Sequence, residues 1–440
     1  MADAALYRRV WRWHFYAGLF VLPFVLILSV TGAIYLFKPQ IDRWEERDYR
    51  ALASESAVSA DTQLRAALAA YPGSRFDRYR LPENPGDAAM LRLTLPSGEA
   101  AEVYVSPAGE VLGTLAPDDR ISATVARVHG SLLLGEWGDR LVELAASWTI
   151  VLILSGLYLW WPRPFRAAGT LWPRLSLRGR PLLRDIHRVT GFWIAGLVLV
   201  MLASGLPWAG AWGSAFQWAR TELGLVKGPQ EWTIGSDDGH KHTAAPPRLT
   251  ETVQASSSAE SLPLSVFVAK ARAERLAFPA LILPPYAPQP FGPPTGKVWT
   301  AMSMSQNRPL ARTVTYDPVT GAETGRSGFA DKHPIDRAVG YGIAWHEGQL
   351  FGLPNQLLGL ATALALIAVS VLGATMWWKR RPHGRIAAPE AEGHRAGPGL
   401  RALVIALAIL LPLFGLSLLT ILALDRLVSI LRRNRATART

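Results

Sequence analysis

The chain has 440 residues, half of them hydrophobic, with 17 Trp and a positive mean hydropathy, a profile that belongs to membrane proteins carrying soluble parts. It contains no Cys, which excludes disulfides, Cys-ligated iron–sulfur clusters and thioether-attached haem. The net charge of +12 comes largely from Arg beside apolar runs, where basic residues set membrane orientation, so no nucleic acid is expected as a partner.

Residues 1–37 comprise a basic N-terminus (Arg8, Arg9, Arg12) and a first apolar run from about 15 to 37. Roughly 20 apolar residues cross the hydrocarbon. With no Ala-x-Ala cleavage pattern behind it, the run reads as an uncleaved first span with a cytoplasmic N-terminus. Residues 38–128 are mixed and polar, with a helical pattern over 61–70, alternating strands at 90–95 and 101–105, and turns at Pro96-Ser97-Gly98 and Pro107-Ala108-Gly109. They predict a small exported α+β domain. Residues 129–161 hold an interfacial segment and a second span from about Leu141.

The loop 162–186 carries Arg163, Arg166, Arg174, Arg178, Arg180 and Arg184 and is cytoplasmic by the positive-inside rule. Residues 187–208 form a third span. Residues 209–345 begin with a Pro-, Ser- and Gly-containing linker (227–263). A helix over 264–276, strands at 297–304 and 312–316 and a hairpin turn at Asp317-Pro318-Val319-Thr320-Gly321 then predict a second exported α+β domain. Residues 346–378 repeat the interfacial segment and span, and 379–399 are a cytoplasmic linker. Residues 400–440 hold a fifth apolar run (400–424), interrupted by Pro412 and Gly415, and a basic tail. This run is read as a crossing, with a re-entrant bend as the alternative. The expected fold is a membrane α-helical bundle of four core spans in two repeats plus the fifth, with two exported α+β domains.

The repeat rests on constant offsets. His129, Gly135, Gly156, Trp160 and Trp161 recur as His346, Gly352, Gly373, Trp377 and Trp378, each 217 positions later (346 − 129). His14, Gly18 and Gly32 recur as His187, Gly191 and Gly205, each 173 later (187 − 14), with Thr31 and Ser204 also aligned. Such internal periodicity marks duplicated units.

Four of nine His are therefore repeat-related. His14 and His187 sit at the cytoplasmic edge of their spans, and His129 and His346 precede spans that start on the exported side. Ionisable groups at a membrane are costly and mark function, and two imidazoles from facing helices are what a low-spin haem iron needs as axial ligands. His129 and His346 lie too far before their apolar runs for a straight helix. A short interfacial helix folding back under the soluble domain is expected to bring them to the exported interface. Gly18, Gly32, Gly191 and Gly205 are expected to leave room for a flat macrocycle, or else to allow close helix packing. Arg12 and Arg188 suit haem propionates and serve equally as positive-inside charges. His240 and His242 read as solvated linker, and His333, His383 and His394 have no positional support. Zinc fits poorly, with no His-Glu-x-x-His and no third ligand. Trp160-Trp161 and Trp377-Trp378 read as an interfacial aromatic belt.

At His14 with Gly18 and Thr31-Gly32, at Ser155-Gly156-Leu157-Tyr158-Leu159-Trp160-Trp161-Pro162-Arg163, at Arg184-Asp185-Ile186-His187-Arg188 and at His346-Glu347-Gly348-Gln349-Leu350-Phe351-Gly352 leading to Trp377-Trp378, the chain resembles the PepSY-associated transmembrane family. That family includes iron-regulated membrane proteins and ferric-siderophore reductases. The resemblance covers residues 8–381 and makes the exported inserts PepSY-like. It implies an inner-membrane, haem-dependent oxidoreductase with two b-type haems (bis-His) that passes electrons outward to a periplasmic ferric-siderophore, releasing Fe(II) for uptake. On this basis His14 and His187 hold the cytoplasmic-side haem and His129 and His346 the exported-side haem. The cytoplasmic loops are too short for a flavin or nicotinamide domain, so the donor is quinol or a separate reductase. The competing expectations are a cofactor-free membrane anchor whose exported domains bind a partner such as a peptidase, and a transporter, which the scarcity of intramembrane polar residues disfavours.

Overall fold

A computed structural model of the protein describes residues 2–53, 56–161, 166–226, 261–381 and 397–437. The linker over 227–260, with His240 and His242, and the segment with His383 and His394 lie outside the described residues.

Hydropathy decides the helices. α1 (Ala2–Tyr35), α5 (Gly135–Trp160), α6 (Arg180–Gly205, continued by a 3-10 turn to Trp208) and α10 (Leu353–Arg380) are each long and apolar enough to cross a membrane. α1 packs on α5 and α10, and α6 packs on the same two, so the four form a ring with α1 and α6 on a diagonal. The third span starts earlier than expected, at Arg180, because Pro181 in its first turn is a favourable helix start.

The fifth apolar run is two helices, not one. α11 (Pro398–Leu410) ends at Leu411, whose backbone is not helical, and α12 (Pro412–Thr437) restarts with Pro412 at its N-terminus, where a missing N–H costs nothing. α12 is the fifth helix long enough to cross, and it packs on α5 through Trp148 and Phe414, whose ring centres are 5.0 Å apart.

The inserts carry α3 (Ala60–Ala70) and α8 (Leu264–Ala273), as the helical patterns predicted. Their strands do not make two sheets. β1 (Arg75–Arg80), β2 (Ala89–Thr94), β3 (Ala100–Val105) and β4 (Val111–Leu115) join β5 (Ala280–Leu283), β6 (Trp299–Ser303), β7 (Arg312–Tyr316) and β8 (Glu323–Gly328) in one antiparallel sheet of order β4-β3-β2-β1-β5-β6-β7-β8. The seam is β1 against β5, with Tyr79 opposite Ile282 and Arg80 opposite Leu281. α3 and α8 cover one face, and Leu91, Leu93, Val103, Phe267, Ile282 and Val314 close a single core beneath them.

Four short helices lie where the bundle meets the sheet. α2 (Lys38–Glu45) continues from α1, and α4 (Ile121–Ser131) and α9 (Pro334–His346) precede the second and fourth spans. α7 (Gly210–Glu222) follows the third span and was not expected. Its N-terminal amides at Gly210, Ala211 and Trp212 donate to Asp139 and Glu143 of α5, at 2.8–3.1 Å, so two buried carboxylates fix its start.

Candidate functional site

The diagonal of the helix ring brings the four repeat-related histidines into two pairs. His14 of α1 faces His187 of α6, ring centres 6.5 Å apart and planes at 88°. At the sheet end, His129 in the last turn of α4 faces His346 at the end of α9, 6.3 Å apart at 76°. The chain reverses after α4 through left-handed Leu132 and Leu133, and after α9 through left-handed Gly348 and Gly352. Short helices thus fold back over α1 and α6, as expected for these two residues.

Two imidazoles on either side of one metal ion have a defined spacing. Each metal–nitrogen bond is about 2.0–2.1 Å and each nitrogen about 1.1 Å from its ring centre, giving about 6.3 Å between centres. Both pairs match. Edge-to-face packing alone covers about 4.5–7 Å, so spacing by itself does not decide between metal and packing. The hydrogen bonds show which ring nitrogen is already engaged.

Every Nδ1 is engaged. His14 Nδ1 donates to Leu152 O (3.1 Å) and Ser155 Oγ (3.0 Å), and His187 Nδ1 to Val369 O (2.9 Å). His346 Nδ1 donates to Met201 O (3.0 Å) and Ser204 Oγ (3.1 Å). His129 Nδ1 lies 3.0 Å from Thr31 Oγ1, which also bonds Ile27 O (2.8 Å). A carbonyl only accepts, so at His14, His187 and His346 the ring proton sits on Nδ1 and Nε2 keeps its lone pair. A backbone acceptor behind the second nitrogen is the arrangement that orients metal-bound histidines. Burial also holds His129 and His346 below the ordinary histidine range, keeping those rings neutral.

Four glycines seat the rings. A Cβ would lie 3.2 Å from His129 Cε1 at Gly32, 3.2 Å from His346 Cε1 at Gly205, 3.0 Å from His14 Cε1 at Gly156 and 3.5 Å from His187 Cε1 at Gly373. Gly32 and Gly205 thus lie against imidazoles, where the sequence offered room for a macrocycle or close helix packing. Nothing lies within 4 Å of a Cβ at Gly191, so there the space beside His187 is open, and at Gly18 such a Cβ would touch Leu152 at 3.6 Å.

Arg12 places its guanidinium over Tyr16, and Arg188 donates to Trp160 O at 3.3 Å while its buried Nε has no partner. Asp185, fully buried, takes a bidentate bond from Arg174 (2.7 and 2.9 Å), tying the basic loop to the helix that carries His187. Trp160 is not part of a lipid-facing belt. It stacks on Phe192 at 3.9 Å and donates to Thr170 O, whereas Trp161 and Trp378 are exposed. His333 caps α9, accepting from Ile335 N. Among the described residues no three His, Asp or Glu gather as a metal cluster.

The residues missed from sequence were the acceptors Leu152, Ser155, Met201 and Val369. A signal was present for two of them, since Leu152 and Val369 share the 217 offset.

Five apolar helices able to cross a bilayer and an antiparallel sheet at one end of the bundle define a membrane protein with a soluble domain. The model of the PepSY-associated TM region matches residues 11–380, and the chain belongs to that family. No curated protein matches it.

Proposed function

We propose that this protein is an inner-membrane oxidoreductase that holds two b-type haems, one between His14 and His187 and one between His129 and His346. It passes electrons outward to a ferric-siderophore in the periplasm, and the reduced iron, released as Fe(II), is taken up. The observation that carries this reading is two imidazole pairs at 6.3 and 6.5 Å with every Nδ1 hydrogen-bonded to a backbone carbonyl or a hydroxyl.

The residues fit the group. His14, His187, His129 and His346 would hold the group through Nε2, and the glycines at 32, 156, 205 and 373 let the rings seat against the helices. Held there, a haem supplies one-electron transfer. The chain does the rest. Hydrogen bonds at Nδ1 stop the imidazoles rotating, and bilayer and helix packing keep water away.

His14 and Thr31, which contacts His129, are 17 residues apart on α1, about 25 Å at 1.5 Å per residue. Two stations at that separation lie near the two faces of a hydrocarbon core of about 30 Å. With the basic loop 162–186 cytoplasmic and the sheet periplasmic, the first pair faces the donor, which is quinol or a separate reductase. Arg12 and Arg188 sit beside that pair in sequence and suit its propionates.

The test is the absorption spectrum of the purified, dithionite-reduced protein, with haem counted per chain. The expected result is two haems and the α-band of bis-His b-type haem. A protein without that band is instead a cofactor-free anchor for its periplasmic sheet, and the proposal ends.

A further inference from the structure

α3 and α8 close one face of the sheet, and the residues that alternate with that core stand on the other. Tyr79, Leu91 and Val103 belong to the core, so Arg78, Arg92 and Glu102 share the opposite face. Arg78 of β1 is the direct cross-strand partner of Arg92 of β2, and Arg92 is in turn the partner of Glu102 of β3. Cross-strand partners lie about 4.5–5.5 Å apart at Cα, and like charges set directly opposite one another are destabilising. Glu46, which follows α2, and Arg120, which precedes α4, bond to this face, so it turns toward the bundle.

The arginines around the pair are saturated. Arg80 donates twice to Glu46 (2.9 and 2.8 Å), and Arg120 donates to Glu46 (2.8 Å) and Glu102 (3.0 Å). Arg78 and Arg92 are not. Among the described residues neither makes a hydrogen bond, and their one ion-pair contact is Arg92 to Glu102 at 3.9 Å. Arg78 is half-buried, with its Nε enclosed and without a partner. Its terminal nitrogens are unbonded but not enclosed, so the tip of the guanidinium is reachable from outside. Burial and the charge of Arg92 push the Arg78 guanidinium down to about 10, against the pull of Glu102 and Asp77, and it remains a cation at neutral pH. Two arginines standing in water would leave no donor enclosed, and native interiors leave few such donors unmet.

We propose that Arg78 and Arg92 form a binding site for a small polyanion that presents two carboxylates or a phosphate to the pair. Each guanidinium can grip an oxyanion through two parallel N–H bonds, and such an anion removes the like-charge contact between β1 and β2. Arg120 holds Glu102 at 3.0 Å, nearer than Arg92 does at 3.9 Å, so the one carboxylate beside the pair is spent and an outside acceptor is needed. No histidine takes part, and the site stands whether or not the two imidazole pairs hold haem.

The experiment is isothermal titration calorimetry of the full chain in detergent with citrate and, separately, inorganic phosphate at constant ionic strength. The variants are Arg78→Gln, Arg92→Gln and Arg65→Gln, the last an exposed arginine of α3 bonded to Thr62. Wild type is expected to bind at least one anion, Arg78→Gln and Arg92→Gln to bind it about tenfold more weakly or not at all, and Arg65→Gln to match wild type. Heat with citrate alone assigns paired carboxylates, and heat with phosphate alone assigns a phosphoryl group. Thermal midpoints report folding. The Arg78 guanidinium has no partner to lose, so Arg78→Gln should melt no lower than wild type before anion is added. The anion should then raise the wild-type midpoint and leave the variant's where it was. No heat from either anion with wild type, affinity unchanged in both pair variants, or an equal loss in Arg65→Gln overturns the site. So does an Arg78→Gln protein that melts lower without anion, because the guanidinium then has a partner within the fold.

Discussion

Gly156 offers the sharpest test of the paired-imidazole geometry. A methyl group at this position would lie 3.0 Å from His14 Cε1 and 3.6 Å from its Nδ1. Ordinary carbon contacts start near 3.4 Å, so Gly156→Ala must push the ring by about 0.4 Å, and metal–ligand distances tolerate only about 0.2 Å. His14 cannot retreat freely, because its Nδ1 is held by Leu152 O and Ser155 Oγ on the same helix as Gly156. The repeat supplies the control. At Gly373 the same methyl would lie 3.5 Å from His187 Cε1, which is ordinary contact. Gly156→Ala should therefore lower occupancy of the His14–His187 site or broaden its α-band, while Gly373→Ala leaves it intact. Helix propensity favours Ala over Gly by about 1 kcal/mol, so general destabilisation is not the expected cause. The assay is haem per chain and the reduced spectrum of each variant in detergent. Equal spectra for the two variants would refute the reasoning, since the 0.5 Å difference between the glycines is all that separates them.

Other outcomes follow from individual contacts. If the proposed function holds, alanine at His14, His187, His129 or His346 should each remove one haem of two, while His333→Ala, which touches only an α9 cap, should remove neither; haem per chain decides. Arg220 is 2% exposed and donates to Asp336 at 2.6 Å, joining α7 to α9. Arg220→Ala strands a buried carboxylate and should cost about 3–5 kcal/mol, seen as a lower thermal midpoint in detergent, and an unchanged midpoint would contradict it. Glu46 is buried, which by itself raises its carboxyl, but the hydrogen bonds and charges of Arg80 and Arg120 bring it down to about 2. A depressed carboxyl stabilises fully above its unfolded value near 4.5 and loses that contribution as pH falls through the folded one. The effect is on the order of 3 kcal/mol. Wild type should become easier to digest at the sheet between pH 5 and 2, and Glu46→Gln, weaker at neutral pH, should lose that dependence.

The spans, the four histidines and their offsets were legible because hydropathy and residue spacing are local properties written along the chain. α3, α8, β2, β3, β6 and β7 were legible for the same reason, through helical periodicity and alternation. β1 was not. Its Arg75-Phe76-Asp77-Arg78-Tyr79-Arg80 is mostly charged, and it becomes a central strand because Asp77 accepts from Thr94, Tyr79 donates to Gln63 and Arg80 pairs with Glu46. Those partners come from elsewhere in the chain. The same holds for the merger of two inserts into one sheet, which depends on the edges of β1 and β5 meeting across about 200 residues of chain (281 − 80). So the sequence by itself determined which residues enter the membrane and which imidazoles are related. The tertiary structure decided that α1 and α6 lie on a diagonal, that His14 meets His187 and His129 meets His346, and that glycines at 32, 156, 205 and 373 seat those rings. The physical reason is that burial pattern is set residue by residue, whereas the distance between two side chains 173 or 217 positions apart is set by how whole helices pack.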